Sequence, residues 1–446
     1  MFLIRYSSEI FTKSEGVKRQ FIHRLADNVR EALARFGHSG KVRRDRDRIY
    51  VETEEDISHV LRRIFGVAAY ARAVEWPFEG VDRLKERLSE VFAHAVRGKK
   101  FAVRVKVRDR TYSSQQLERD LGAVLYPHSA GVNLESPEVQ INVEIRGERV
   151  FVHHRWERGP GGLPVGTQAR ALALVSGGFD SPVAAWMSLK RGVKLDFVLY
   201  DLGGEEHIRG THAILRRLYE DWIFGYTPRF YVVDFSPILE ALFSVKRELR
   251  LVVLKRMMYR AGEIMSRSVR AEALITGESI GQVSTQTLPN LRVIEEAVRI
   301  PVIRPLATYD KEEIIAKARD LAIYDLSASI PEFCAIATSS PVRTRLREVK
   351  VEEEKVLPAL TRAMENVRLL SLDSDYDEAD PLRAPEGLEG KVVYVSPERF
   401  GEVLKESEGW PKDGTYILVC RKGRLSRQLA KILRDRGYDA YYRSLS

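Results

Sequence analysis

Only two of the 446 residues are cysteine, Cys334 and Cys420. Two thiols do not make a structural zinc site, and no CxxC is present. No apolar run approaches the length of a membrane span, so no membrane partner is expected. The N-terminal MFLIRYSSEIF lacks the basic segment and long apolar run of a secretory signal, so the cytoplasm is the expected compartment. What is abundant is charge. Lys and Arg number 72 against 63 Asp and Glu, a formal net charge of +9. That balance favours a polyanionic partner, nucleic acid first; a generally charged, soluble surface is the competing reading. The length calls for two to four domains.

One stretch organises the rest: Ala171 to Gly192, ALALVSGGFDSPVAAWMSLKRG. Ala171 to Val175 is an apolar run suited to a buried strand. Ser176-Gly177-Gly178-Phe179-Asp180-Ser181 is a tight loop, and a helical pattern begins at Pro182. A strand, a glycine loop and a helix start form a phosphate cradle, because free N–H groups and the positive helix end face an anion. Ser176 and Ser181 add hydroxyls. The loop is not GxxxxGK followed by Ser or Thr, and it is not GxGxxG. It resembles the PP-loop of ATP pyrophosphatases, which cleave ATP between the α and β phosphates; an ordinary turn is the bland alternative.

In chain order, residues 1–55 read as a ferredoxin-like α+β unit, with a strand at Phe2–Tyr6, a helix at 17–36 and a strand at 48–53. Residues 56–158 read as a second unit with helices at Val81–Val96 and 113–125 and a hairpin around Gly147-Glu148. Its strand FAVRVKVR, 101–108, puts Arg104, Lys106 and Arg108 on one face, suited to tracking phosphates. This order resembles the THUMP domain of RNA-modifying enzymes. GPGGLP, 159–164, marks a boundary. From 168 to 369 strands and helices alternate as in a doubly wound parallel sheet, with the ligand at the carboxyl ends of the strands. Lys255 on a helix, Gly277 at a strand end and Gln286 fall there. Gly277 would let a purine or ribose approach. A solvated lysine and a plain turn are the alternatives for these positions. His207 reads as a surface or capping histidine.

SGGFDSPVA, LGGEEH, LKRMM, TGESIGQVSTQTLPNL, RPLATYDKEEII and IPEFC follow one another in an order that resembles the tRNA 4-thiouridine synthetases, the tRNA sulfurtransferases. The resemblance spans nearly the whole chain and implies an ATP site of Leu174, Val175, Ser176, Gly177, Gly178, Ser181, Lys255, Gly277 and Gln286. Asp180 would be the catalytic carboxylate, holding a Mg2+-bound pyrophosphate in line for departure or polarising the reacting groups. The implied chemistry is adenylation of uridine 8 of tRNA, then sulfur transfer from a cysteine persulfide. The implied partners are tRNA, a cysteine desulfurase, a thiamine sulfur-carrier protein and a second copy of the chain. Another adenylating PP-loop enzyme and a non-catalytic tRNA-binding protein are the alternatives.

The family has a cysteine at the position of Cys334, beside the nucleotide. Cys420 ends an apolar strand and opens CRKGRLS before a helix, which resembles the active-site loop of rhodanese. Arg421, Lys422, Arg424 and the helix start would stabilise a bound persulfide anion. By resemblance Cys420 carries the sulfur and Cys334 resolves it as a disulfide. Residues 387–446 are short for a rhodanese, so this module is expected to share the core's sheet or lean on it, behind an acidic linker at 371–386.

Overall fold

The computed structural model describes residues 1–108, 112–328, 330, 341–421 and 423–445. Two units divide at Thr167/Gln168.

In the first unit nine strands join one sheet: β1 (Phe2–Tyr6), β2 (Lys41–Arg44), β3 (Arg48–Glu52), β4 (Val67–Pro77), β5 (Lys100–Val107), β6 (Gly131–Val132), β7 (Val139–Arg146), β8 (Arg149–His153) and β9 (Glu157–Arg158). The order is β2-β3-β1-β4-β8-β7-β5-β6, with β9 on β4. β4 is long enough to serve both halves. Its first residues pair with β1 and its last with β8. The expected 1–55 and 56–158 divisions therefore meet in one continuous sheet. Helices Val81–Val96 and Ser114–Leu125 bury Leu84, Leu88, Phe92, Leu117, Leu121 and Leu125 against Phe101, Val103, Ile141 and Val143. Glu144 on β7 is buried among Arg5, Arg48 and Arg146, at 3.3, 3.4 and 3.0 Å. Burial opposes its charge, but His153 and the arginines hold the carboxyl well below the usual range. The GPGGLP segment is strapped to β4 by backbone bonds from Gly159 to Ala68 and from Gly161 to Val67.

The second unit holds a six-stranded sheet: β10 (Arg170–Val175), β11 (Lys194–Asp201), β12 (Phe230–Asp234), β13 (Leu274–Ile275), β14 (Val302–Ile303) and β15 (Val367–Leu370), in the order β14-β13-β10-β11-β12-β15. All pairs are parallel except β12–β15. The chain winds one way from β10 through β11 and β12, then returns to lay β13 on the other side of β10. That reversal opens a crevice at the carboxyl ends of β10 and β13. Both faces are covered, so the central strands are nearly all apolar. The charge inside β11, Asp196, is fully buried and paired with Arg170 and Arg229.

Three further strands, β16 (Lys391–Tyr394), β17 (Thr415–Cys420) and β18 (Asp439–Ser444), form a separate parallel sheet in the order β16-β17-β18. This module leans on the core and shares no sheet with it. Helix Arg424–Asp435 lies between the two and is buried on almost every side. Leu418, Leu425, Leu429 and Leu433 belong to one apolar cluster with Tyr200, Leu202 and Phe235. Arg427 reaches Asp201, Glu205 and Asp380 at 3.6, 3.7 and 2.5 Å, and Lys431 reaches Asp234 at 2.8 Å. Gly204 permits this approach: its φ is +83°, and a Cβ there would sit 2.3 Å from the Arg427 side chain. The acidic stretch after β15 is pinned rather than loose. His212 bonds the Ser371 carbonyl, Tyr219 donates to Asp373 and Arg209 donates to the Glu378 carbonyl.

Replacing Arg427 with Ala removes the buried cation that Asp201, Glu205 and Asp380 share. We expect a loss of about 3 kcal/mol in urea unfolding, and faster alkylation of Cys420 by iodoacetamide, read on the Cys420 peptide by mass spectrometry.

Candidate functional site

Leu174, Val175, Ser176, Gly177, Gly178, Asp180, Ser181, Lys255, Gly277 and Gln286 line one cavity of about 540 Å³ at the switch point. β10 delivers the loop. Helix Asp180–Lys190 starts directly after it, so its first N–H groups open on the cavity. Ser181 Oγ accepts the Ser176 N–H at 3.0 Å and closes the loop on itself. Gly277 follows β13 and packs against that helix start. A Cβ there would lie 2.6 Å from Ser181 N and 2.7 Å from the Asp180 carbonyl carbon. The protein's own backbone therefore demands glycine, where the sequence suggested room for a purine or ribose.

Several lining residues are not legible as site residues in the sequence. His207 reads from the sequence as a surface or capping histidine. Instead its Nε2 accepts the Gly177 N–H at 3.0 Å, and the ring lines the cavity. The LGGEEH loop brings it there, and no local signal announces it. Asp180 is gripped by Lys311, at 2.9 and 3.1 Å, and by Gln282 at 3.0 Å. Lys311 also lies 4.3 Å from the Phe179 ring centre. Both grips come from distant motifs, TGESIGQ and RPLATYDK. Glu278 is buried beneath Lys255, 3.8 Å from its Nζ, and accepts from Tyr259, Thr276 and Arg304. Burial opposes ionisation of Glu278, but Lys255, Tyr259 and Arg304 outweigh it and hold its carboxyl below the usual range. Lys255 is thereby a seated lysine with its ammonium at the cavity rather than a solvated one. Leu199, Tyr200, Met258 and Ile330 supply apolar wall.

The cavity fits a nucleotide. Gln286 Oε1 is buried and has no hydrogen-bond partner among the described residues. For a divalent cation the fit is partial. Among the described residues no group of three acidic, histidine or cysteine side chains converges. Mg2+ binds through one or two carboxylates plus substrate phosphates. Asp180, on the cavity wall with its oxygens engaged by Lys311 and Gln282, would be the carboxylate to do so.

Cys420 ends β17, 6% exposed, and its Sγ accepts from Ser426 Oγ at 3.4 Å. Gly423, with φ +73°, turns the chain into the next helix. Cys334 and Lys422 fall outside the described residues. On the first unit, Arg104 donates to the Leu134 carbonyl, Lys106 is exposed, and Arg108 lies 3.5 Å from Asp47. Only Arg108 of the three lines a basic concavity of about 690 Å³, which it shares with Arg43, Arg44, Arg146 and Arg149. Those four were missed because β2 and the β7–β8 turn are far apart in sequence. No helix among the described residues is long and apolar enough to cross a membrane.

Three family descriptions match: the ThiI ferredoxin-like domain over residues 1–71, the THUMP domain over 79–154, and the thiamine biosynthesis protein ThiI over 166–357. A tRNA sulfurtransferase of Desulfurococcus amylolyticus is 35% identical, the match covering 99% of this chain and 96% of that one. The chain belongs to the tRNA sulfurtransferase family. A Sulfurisphaera tokodaii protein named "Probable tRNA sulfurtransferase" is 38% identical over 79% of this chain and 95% of its own. The solved structure of a 4-thiouridine synthetase, bound to RNA and ATP, superposes with a TM-score of 0.74 at 26% identity, covering 83% of this chain and 99% of that one. Residues 358–446, with the Cys420 module, lie beyond the three family descriptions.

Gly277→Ala should force the loop helix back. The expected cost is about 1–3 kcal/mol in urea unfolding, with weaker ATP binding by calorimetry. Glu278→Gln tests the buried carboxylate by pH. A carboxyl held low in the fold contributes stability above its ordinary pKa of 4.5 and loses it as pH falls through the folded value. The stability gap between wild type and variant should be full at pH 7 and shrink below pH 4.5.

Proposed function

We propose that the chain transfers sulfur to uridine 8 of tRNA, giving 4-thiouridine at the expense of ATP. The observation that carries this reading is the single cavity at the switch point that gathers the loop Ser176–Ser181, Lys255, Gly277 and Gln286. The triphosphate lies on the loop N–H groups and the helix start, with Lys255 opposite. Mg2+, when bound on the triphosphate, would neutralise charge on the departing pyrophosphate. Asp180, steered by Lys311 and Gln282, holds that end of the site in line. The uridine C4 oxygen attacks the α-phosphorus, the bond to the β-phosphate oxygen breaks, and pyrophosphate leaves. C4 then carries AMP as its leaving group.

Cys420 is the proposed persulfide carrier, in a rhodanese-like module loaded by a cysteine desulfurase. Its terminal sulfur attacks C4 and AMP departs. The Cys334 thiolate attacks the Cys420 sulfur, leaving the new C4–S group on uridine and a Cys334–Cys420 disulfide. A cellular dithiol restores both thiols. The arginine-lined concavity is the proposed contact for tRNA phosphates, and the cytoplasm the proposed compartment. Sulfur supply to thiamine synthesis and a homodimer rest on the family resemblance alone.

The deciding experiment is Asp180→Ala in a thiolation assay with full-length protein. Activity should vanish, with tRNA affinity unchanged in filter binding; normal turnover would reject the PP-loop reading. Arg44→Ala and Arg149→Ala should each weaken tRNA binding and lower the slope of log affinity against log salt by about 1. Cys420→Ser should accept no labelled sulfur from a desulfurase.

A further inference from the structure

His207 is the histidine that lines the cavity, and it is placed unlike a surface residue. Its Nε2 accepts the N–H of Gly177, an amide of the phosphate loop itself. That amide is spent on the ring and unavailable to a phosphate. Accepting at Nε2 requires a neutral ring with its proton on Nδ1. Nδ1 is buried and has no hydrogen-bond partner among the described residues. The ring is confined by Gly177 and Gly203, where added Cβ atoms would lie 2.9 and 2.6 Å from it or its own Cβ. Two charged groups face it: Asp201 at the end of β11, which favours a proton, and Arg424 on the helix after Cys420, which opposes one. Desolvation is the largest influence and keeps the ring neutral below the usual histidine range.

A triphosphate changes that balance. It brings several negative charges into a confined, poorly screened site, beside a ring that needs one proton to become a cation. A proton on Nε2 breaks the bond to Gly177, because a donor cannot accept. It also produces two anion donors at once: the ring N–H and the freed Gly177 N–H.

We propose that His207 is a proton-operated positioning residue for the phosphate loop, taking one proton from solvent at Nε2 as the triphosphate binds and releasing the Gly177 N–H to it. This rests on the nucleotide reading above and adds a proton to its binding step. The neutral ring holds the loop in order before ATP arrives. The cationic ring stabilises the loaded state. Loss of the proton on pyrophosphate departure re-forms the Gly177 bond and resets the loop. ATP affinity therefore falls as pH rises through the bound-state pKa, by up to about tenfold per pH unit within the window between the free and bound values.

The test is calorimetric binding of MgATP to the full chain, in buffers of different ionisation enthalpy, for wild type and His207→Gln. A glutamine amide accepts and donates without a proton. Wild type should take up about one proton more per ATP than His207→Gln, and its affinity should fall more steeply with pH than that of the variant. Nitrogen NMR of histidine-labelled wild type gives a second readout that needs no variant. One ring should pass from imidazole to imidazolium on MgATP addition. MgATP binding with equal proton uptake in both proteins, or with no histidine ring changing state, would overturn the proposal and leave the nucleotide site standing. Failure of wild type to bind MgATP would overturn both.

Discussion

The cavity at the switch point depends on one contact without a side chain, Gly277 against the backbone of Asp180 and Ser181. It lets the end of β13 lie against the start of the loop helix, so two segments about a hundred residues apart face one crevice. A methyl group would open that seam. Because the seam is closed, Glu278 is carried inward, where Tyr259, Thr276 and Arg304 surround it. An ionised carboxylate in that position needs a partner, and Lys255 is the cation that remains on the cavity side. The placement of Lys255 is therefore a consequence of backbone packing at Gly277.

The Cys420 module obeys a different constraint. Its three parallel strands present an apolar face that is buried on the neighbouring core. The module completes its core against the large unit through Leu425, Leu429 and Leu433. Arg427, Gln428 and Lys431 meet Asp201, Ser236 and Asp234 across the same contact. Polar groups buried there fix one docking register, since a slip would leave charges unpaired. The acidic segment leading to the module is held by the same logic, with Arg209, His212 and Tyr219 along one helix receiving it. A composition that suggests a solvated tether becomes ordered where basic and hydroxyl partners lie in reach.

Local signals carried the strands and helices that have strong periodicity. Val81–Val96 shows its apolar face as Leu84, Leu88 and Phe92, and the parallel strands show as unbroken apolar runs. The glycine loop at the cavity was legible because strand, glycines and helix start adjoin in sequence. His207, Lys311 and Gln282 were not, because each reaches the loop from another segment and sits in an ordinary turn or helix start. Glu278 gave no warning either: an acidic residue after a glycine reads as exposed until its arginine and tyrosine partners are placed. The basic strand face 104–108 was visible, yet the concavity is assembled mostly from Arg43, Arg44, Arg146 and Arg149 on strands brought together by sheet pairing.

By itself, the sequence determined the order of the ferredoxin-like, THUMP and ThiI modules, the junction of strand, glycine loop and helix start at 171–190, and the positions of the two cysteines. Those properties reside in contiguous residues, where backbone geometry and side-chain type act over a few positions. Tertiary structure alone decided which amide of the loop is already occupied, which carboxylate seats the lysine, and that Cys420 ends in a buried position. These depend on distances between segments far apart in the chain, and on the burial that makes an unpaired charge or donor costly.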